Sequence, residues 1–204
     1  MMNNLTYVTG NYGKYISVKE LFEKNDLDIN FYKCDLDEPD VNDIKYISLK
    51  KALKAYEIIK RPVFVADSGF YINAYPTNPG YPGAFAKRSG ISTNIEKLIY
   101  DMKNVEDRSC YFLDCLTFYD GDNYYQFLGS CYGILAYEIK GNDKKEAQSN
   151  LWKVFIPNNC TKTLAEMTKE ELNNRPDGRT SAKEEFIKWY KKEYKSIKKL
   201  HLTM

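Results

Sequence analysis

The chain has 204 residues with 30 basic and 28 acidic side chains, a formal net charge of +2. That length buries a real core in one large domain or two lobes, and the balanced charge argues against a global field for nucleic acid or membrane. Five cysteines without Cys-x-x-Cys spacing (Cys34, Cys110, Cys115, Cys131, Cys160) argue against a disulfide framework or zinc knuckle, and a lone His201 argues against histidine-based triads and zinc sites.

The first apolar run, Leu5-Thr-Tyr-Val-Thr9, reads as a strand that enters the turn Gly10-Asn-Tyr-Gly-Lys14. From Lys14 to Lys24, Tyr15, Val18, Leu21 and Phe22 recur at helical spacing, so the turn sits at a helix N-terminus. It is either an anion-binding turn or an ordinary glycine turn, and it lacks the full Walker pattern. A second strand, Ile29 to Cys34, leads into Asp35-Leu-Asp-Glu-Pro39. Asp40 is expected to cap a long helix through Lys60, with Val41, Ile44, Ser48, Ala52, Ala55 and Ile59 on one face.

Val63-Phe-Val-Ala-Asp-Ser-Gly69 is an apolar run that stops at an acid, a hydroxyl and a glycine, so a buried strand is expected to end there and carry Asp67 to the sheet rim. Strand, helix, strand, helix, strand opens a parallel sheet, and ligands of such sheets bind in the crevice outside the carboxyl ends of the strands. Glu38 is placed at the same rim, before Pro39.

Residues 75–90 hold the turn chemistry of a structured loop ending in Lys87 and Arg88, and Thr93-Asn-Ile-Glu96 reads as a capping box for a helix to Met102. Ser109 to Asp120 and Tyr124 to Tyr137 flank Asp120-Gly-Asp-Asn123, the pattern of a long hairpin in a second, antiparallel lobe. Thr168-Lys-Glu-Glu171 caps a short helix. Ser181-Ala-Lys-Glu184 caps a last helix, packed through Phe186, Trp189, Tyr190 and Ile197. No run approaches the roughly 18 apolar residues of a membrane helix, and no charged-then-apolar leader precedes the first strand, so a soluble cytoplasmic protein is expected.

Thr9-Gly-Asn-Tyr-Gly-Lys14 resembles the Thr-Gly-Asn-x-x-Lys opening of the inosine/xanthosine triphosphate pyrophosphatase (Ham1-like) family. Four further blocks follow in that family's order: Asp35-Leu-Asp-Glu38; Asp67-Ser-Gly69 with Pro82-Gly-Ala-Phe-Ala-Lys-Arg88; Gly129-Ser-Cys-Tyr-Gly-Ile134; and Phe155-Ile-Pro157 through Thr163-Leu-Ala-Glu-Met167. The resemblance implies an elongated α/β fold of Maf/Ham type, with a mixed sheet in two lobes around a central cleft, over one two-lobed domain. It further implies a homodimer and magnesium- or manganese-dependent cleavage of a nucleoside triphosphate between the α and β phosphates.

By motif position, Thr9, Gly10, Asn11 and Lys14 would hold the triphosphate, Ser68 and Arg88 would complete the phosphate site, and Glu38 and Asp67 would bind the metal. Asp67, with Lys14, would be catalytic, activating water. The sequence departs from the family where Ala66 replaces a second acid and where the base-reading segments become Ser149-Asn-Leu-Trp-Lys-Val154, Leu172-Asn173 and Pro176-Asp-Gly-Arg179. Trp152 is a candidate to stack on a base and Asp177 and Arg179 to bond its edge; each is otherwise a core or turn residue. A strong inosine or xanthosine preference is not expected from so altered a base-reading half. The competing reading is a non-catalytic nucleotide-binding or regulatory protein that kept the phosphate loop.

Overall fold

The computed structural model describes residues 5–144, 147 and 149–194. Ile197 and His201 therefore lie outside the described residues. In chain order the elements are β1 (Leu5–Val8), α1 (Tyr12–Glu23), β2 (Ile29–Tyr32), α2 (Ile44–Ile59), β3 (Val63–Ile72), β4 (Pro82–Gly83), α3 (Ile95–Asp101), β5 (Ser109–Tyr119), β6 (Tyr124–Leu135), β7 (Phe155–Pro157), α4 (Lys169–Asn174) and α5 (Ala182–Trp189). Among the described residues the strands form a seven-stranded mixed sheet in the order β2-β1-β3-β5-β6-β7, with β4 on β3. The fold is α/β, and the parallel opening is present: β1 pairs in parallel with both β2 and β3.

The chain divides into two compact units, each assembled from separated segments. Of the described residues, the first holds 5–67, 114–129 and 181–194, and the second those from 68–113 and 130–180.

In the first unit, β3 is buried on both faces, which is why it reads as an unbroken apolar run. Successive side chains alternate between faces. Val63 and Val65 pack with Val8, Ala52 and Ala55 against α2, while Phe64 packs with Tyr7, Phe22 and Phe186 against α1 and α5. The rings of Phe22 and Phe64 stack at 5.2 Å and those of Tyr7 and Phe64 at 4.8 Å. The face of α2 that meets the sheet is small, and Ser48 on it is satisfied by Thr117 Oγ1 at 2.7 Å.

Three expectations are corrected. Asp43, not Asp40, caps α2, because its Oδ1 accepts the amides of Lys45 and Tyr46; Val41 is outside the helix and exposed. Asn94, not Thr93, caps α3 by accepting from the Lys97 amide. β3 does not end at Asp67 but runs on to Ile72. The glycine that reads as a strand breaker, Gly69, is instead a close approach: a Cβ there would stand 2.9 Å from the Gly83 carbonyl oxygen of β4.

The second unit packs Phe70, Ile72, Leu98, Met102, Leu135 and Phe155 into its own core. The hairpin strands cover most of the expected spans but do not lie in the second unit alone: residues 114–129 belong to the first, including the connecting turn, where Asp120 Oδ1 accepts from the amides of Asp122 and Asn123. Arg108 is buried in the second unit with three bonds to carbonyl oxygens of Met102, Leu135 and Ala136. The capping box at Thr168 and Glu171 is complete, and Ser181 caps α5 through the Glu184 amide. No helix among the described residues is long and apolar enough to cross a membrane.

Candidate active site

The turn after β1 is shaped by its own side chains. Thr9 Oγ1 accepts the Asn11 amide at 3.2 Å, and Asn11 Oδ1, as the cap of α1, accepts the Lys14 amide at 3.1 Å. The amides of Tyr12 and Gly13 are left without an acceptor among the described residues, and helix N-terminal amides of this kind are ready donors to an anion. Gly10 lies against the Asp35 side chain: a Cβ on it would sit 1.7 Å from Asp35 Oδ1, so a larger residue would have to displace that exposed carboxylate. The loop after β2 is drawn to the same place by backbone bonds from Thr9 N to Tyr32 O and from Cys34 N to Thr9 O.

Asp67 follows Val63 and Val65 on the α2 face of β3, and α2 answers it with a lysine. Lys51 Nζ lies 2.5 Å from Asp67 Oδ1 and 3.0 Å from Glu38 Oε1. These side chains are 15 %, 12 % and 29 % exposed respectively, so their interaction is only partly screened by solvent. Burial works against the Lys51 ammonium, but Asp67 and Glu38 outweigh it and its pKa is raised. Asp67 Oδ2 is buried and has no hydrogen-bond partner among the described residues. A buried carboxylate oxygen with no partner is costly unless something else binds it.

Lys14 joins this cluster electrostatically. Burial lowers its pKa, Lys51 and Lys183 lower it further, and Asp67 and Asp114 oppose them. Gly10, Asn11, Lys14, Glu38 and Asp67 all belong to the first unit, with Lys14 in electrostatic reach of Asp67 and Lys51 joining Asp67 to Glu38.

The remaining candidates belong to the second unit. Asp177 is buried and accepts from Arg175 Nε at 2.5 Å on one oxygen and from Arg179 Nη1 at 3.0 Å on the other. Cys131 Sγ adds a 3.3 Å bond, and its thiol is pushed up to about 12 by burial and by Asp177. With both oxygens engaged, Asp177 acts on its arginines. Arg179 also donates to the carbonyls of Arg175 and Asn173. Arg88 is exposed with its guanidinium 4.3 Å from the Phe85 ring centre, Ser68 is exposed, and Trp152 is half-buried against the core of its unit.

Residues 5–189 match the model of the Ham1 family. The chain belongs to the Ham1 family. It is 33 % identical over 166 residues to a dITP/XTP pyrophosphatase of Saccharolobus solfataricus, covering 81 % of this chain and 83 % of that one. It is 35 % identical to inosine triphosphate pyrophosphatase 2 of Trypanosoma cruzi over 84 % of each chain. In fold it resembles a HAM1 protein from Coxiella burnetii, with a TM-score of 0.73, 22 % identity, and coverage of 90 % of this chain and 97 % of that one.

Two residues of this Ham1 chain were missed from sequence. Lys51 stands three positions after Ser48 and one before Ala52, on the edge of the helix face that meets the sheet, and that placement was the available signal. Arg175 lies beside the turn read as Pro176-Asp-Gly-Arg179, and only folding shows that it and Arg179 share one carboxylate.

Proposed function

We propose that this chain hydrolyses nucleoside triphosphates between the α and β phosphates, releasing a nucleoside monophosphate and pyrophosphate, with deaminated purine nucleotides among its substrates. The observation that carries this reading is Asp67, whose one oxygen is held by Lys51 while the other is buried and unpartnered. The named activities of the relatives support the substrate class.

The residues fit a hard divalent cation such as magnesium or manganese. Among the described residues no three carboxylate, histidine or cysteine side chains gather to hold a metal alone. Magnesium is suited to this, since it takes one or two carboxylates, here Glu38 and Asp67, and fills its remaining positions with water and substrate phosphates. When bound, such an ion supplies Lewis-acid stabilisation of charge on the phosphoryl oxygens.

The chain's own part is positioning and proton transfer. Lys14 and the amides of the Thr9-to-Lys14 turn hold the phosphates, and Lys51 fixes Asp67 and adds positive potential where phosphoryl charge develops. Asp67 Oδ2 takes a proton from water as the water oxygen bonds to phosphorus and the bridging oxygen leaves with the electron pair of the broken bond. No histidine is needed.

The test is pyrophosphate release in magnesium, compared across inosine, xanthosine and the ordinary triphosphates. Steady turnover is expected, with catalytic efficiencies spread over less than about a hundredfold, because the altered segments leave few side chains to reject a base edge. Stoichiometric nucleotide binding with no turnover would instead establish the regulatory reading. A larger preference for inosine or xanthosine would show that the arginine pair reads the base as strongly as the family pocket.

Lys14→Ala is expected to raise KM for every triphosphate by a similar factor, about tenfold or more for a lost charge-assisted bond. Its partner is the phosphate chain common to all of them. A loss confined to one base would remove Lys14 from this role.

A further inference from the structure

We propose that Lys183 is a phosphate ligand of this site, brought beside Lys14 by the packing of α5 along α1; the inference rests on the phosphate-binding reading of the Thr9-to-Lys14 turn. Neither the sequence motifs nor the Glu38, Lys51 and Asp67 cluster includes it.

The two helices run in the same direction. Phe22 of α1 meets Phe186 of α5 with ring centres 5.9 Å apart. Just past the C-terminal ends of both, Lys191 Nζ of the π-helical turn Tyr190–Tyr194 donates to the Asn25 carbonyl at 2.8 Å and lies 3.9 Å from Asp26. Contacts that advance together along two helices place their N-termini at the same end. For α1 that end is the turn after β1, where Tyr12 and Gly13 present unpaired amides.

Lys14 lies about two turns before Phe22 and Lys183 about one turn before Phe186. Helical side chains lean back toward the helix N-terminus, so both ammonium groups are carried toward that end. Ala182, next to Lys183, is buried in the same core as Tyr7 and Phe64, which holds the first turn of α5 on the sheet.

Charge then points to an anion. Neither the Lys14 nor the Lys183 ammonium has a hydrogen bond or ion pair among the described residues, and each is only partly exposed. Lys183 lies close enough to disfavour the charged form of Lys14, as Lys51 does. The carboxylate on the same sheet face is Asp114, alone in a row of β5 that otherwise reads Cys110, Phe112, Leu116 and Phe118. Asp67 and, to a smaller extent, Asp114 offset part of this repulsion, and an anion bridging the two lysines would offset more of it. Lys14, Lys51 and Lys183, from three helices, form a cradle for a polyphosphate chain.

The test is calorimetric titration of the full chain with inorganic tripolyphosphate at low salt. Lys183→Met is expected to weaken binding about tenfold or more, Lys183→Arg to stay within about threefold of wild type, and Lys188→Met to bind as wild type. Lys188 is the control for lost charge on the same helix, because it is exposed and paired with Glu185. Equal affinities for Lys183→Met and Lys188→Met would overturn the proposal, as would a wild-type chain that binds no tripolyphosphate. Melting temperatures of the variants separate lost binding from lost folding. The readout is independent of turnover: a chain that releases no pyrophosphate yet shows the Lys183 effect would refute the enzyme reading and keep this one.

Discussion

Asp67→Asn is expected to lower turnover by about 10² to 10⁴ while leaving nucleotide binding measurable. The substitution keeps the shape of the side chain and an oxygen for Lys51, so the 2.5 Å contact has a successor. It removes the negative charge and the buried, unpartnered oxygen that would accept the proton of water. Loss of charge also weakens the donor set shared with Glu38; higher magnesium restores that part by mass action but not the missing base. Kinetics in saturating metal, with binding measured separately, decide the matter. A variant retaining more than about a tenth of wild-type turnover would place the base elsewhere, since general-base loss alone costs more than that.

The second large effect is on stability. Asp177→Asn is expected to cost about 3 to 5 kcal/mol, the range for breaking a buried ion pair from one side. Its carboxylate is enclosed, and its removal leaves the Arg175 and Arg179 guanidiniums facing each other without their shared counter-charge. For a chain of this size that corresponds to a drop of roughly 6 to 20 °C in melting temperature. Burial would raise the Asp177 pKa, but bonds from Arg175, Arg179 and Cys131 reverse this and hold it below the ordinary aspartate value. The stabilisation is therefore complete above that ordinary value and is lost as pH falls through the depressed one. Melting curves of the two proteins should converge in acid. A difference below about 1 kcal/mol at neutral pH would show that the arginines find other partners.

How far the site could be read from sequence depended on distance along the chain. The turn from Thr9 to Lys14 was legible because its bonds span two or three residues, and the capping box at Thr168 for the same reason. Lys51 was not. It meets partners 13 and 16 residues away, and nothing in its own helix distinguishes it from Lys50 or Lys54 except the face it occupies. The extent of β3 was hidden because Gly69 has two meanings, a breaker or a site of close backbone approach, and only the position of Gly83 selects the second. Asp40 and Asp43 are equally good caps by type, and the choice lies in which one meets the amides of Lys45 and Tyr46.

Because α5 belongs to the first unit although it lies near the end of the chain, the order of synthesis matters. Phe22, Phe64 and Phe118 leave the ribosome well before Phe186, the ring that packs with all three. At about 5 to 20 residues per second, the interval between Phe118 and Phe186 is roughly 3 to 14 s. Throughout it the nascent chain carries aromatic surface that Phe186 has yet to cover, while the 130–180 segment of the second unit is delivered in between. The arrival of α5 is thus what covers this aromatic surface, and chaperone capture during translation should fall on the first unit, after its strands are made and before α5 arrives.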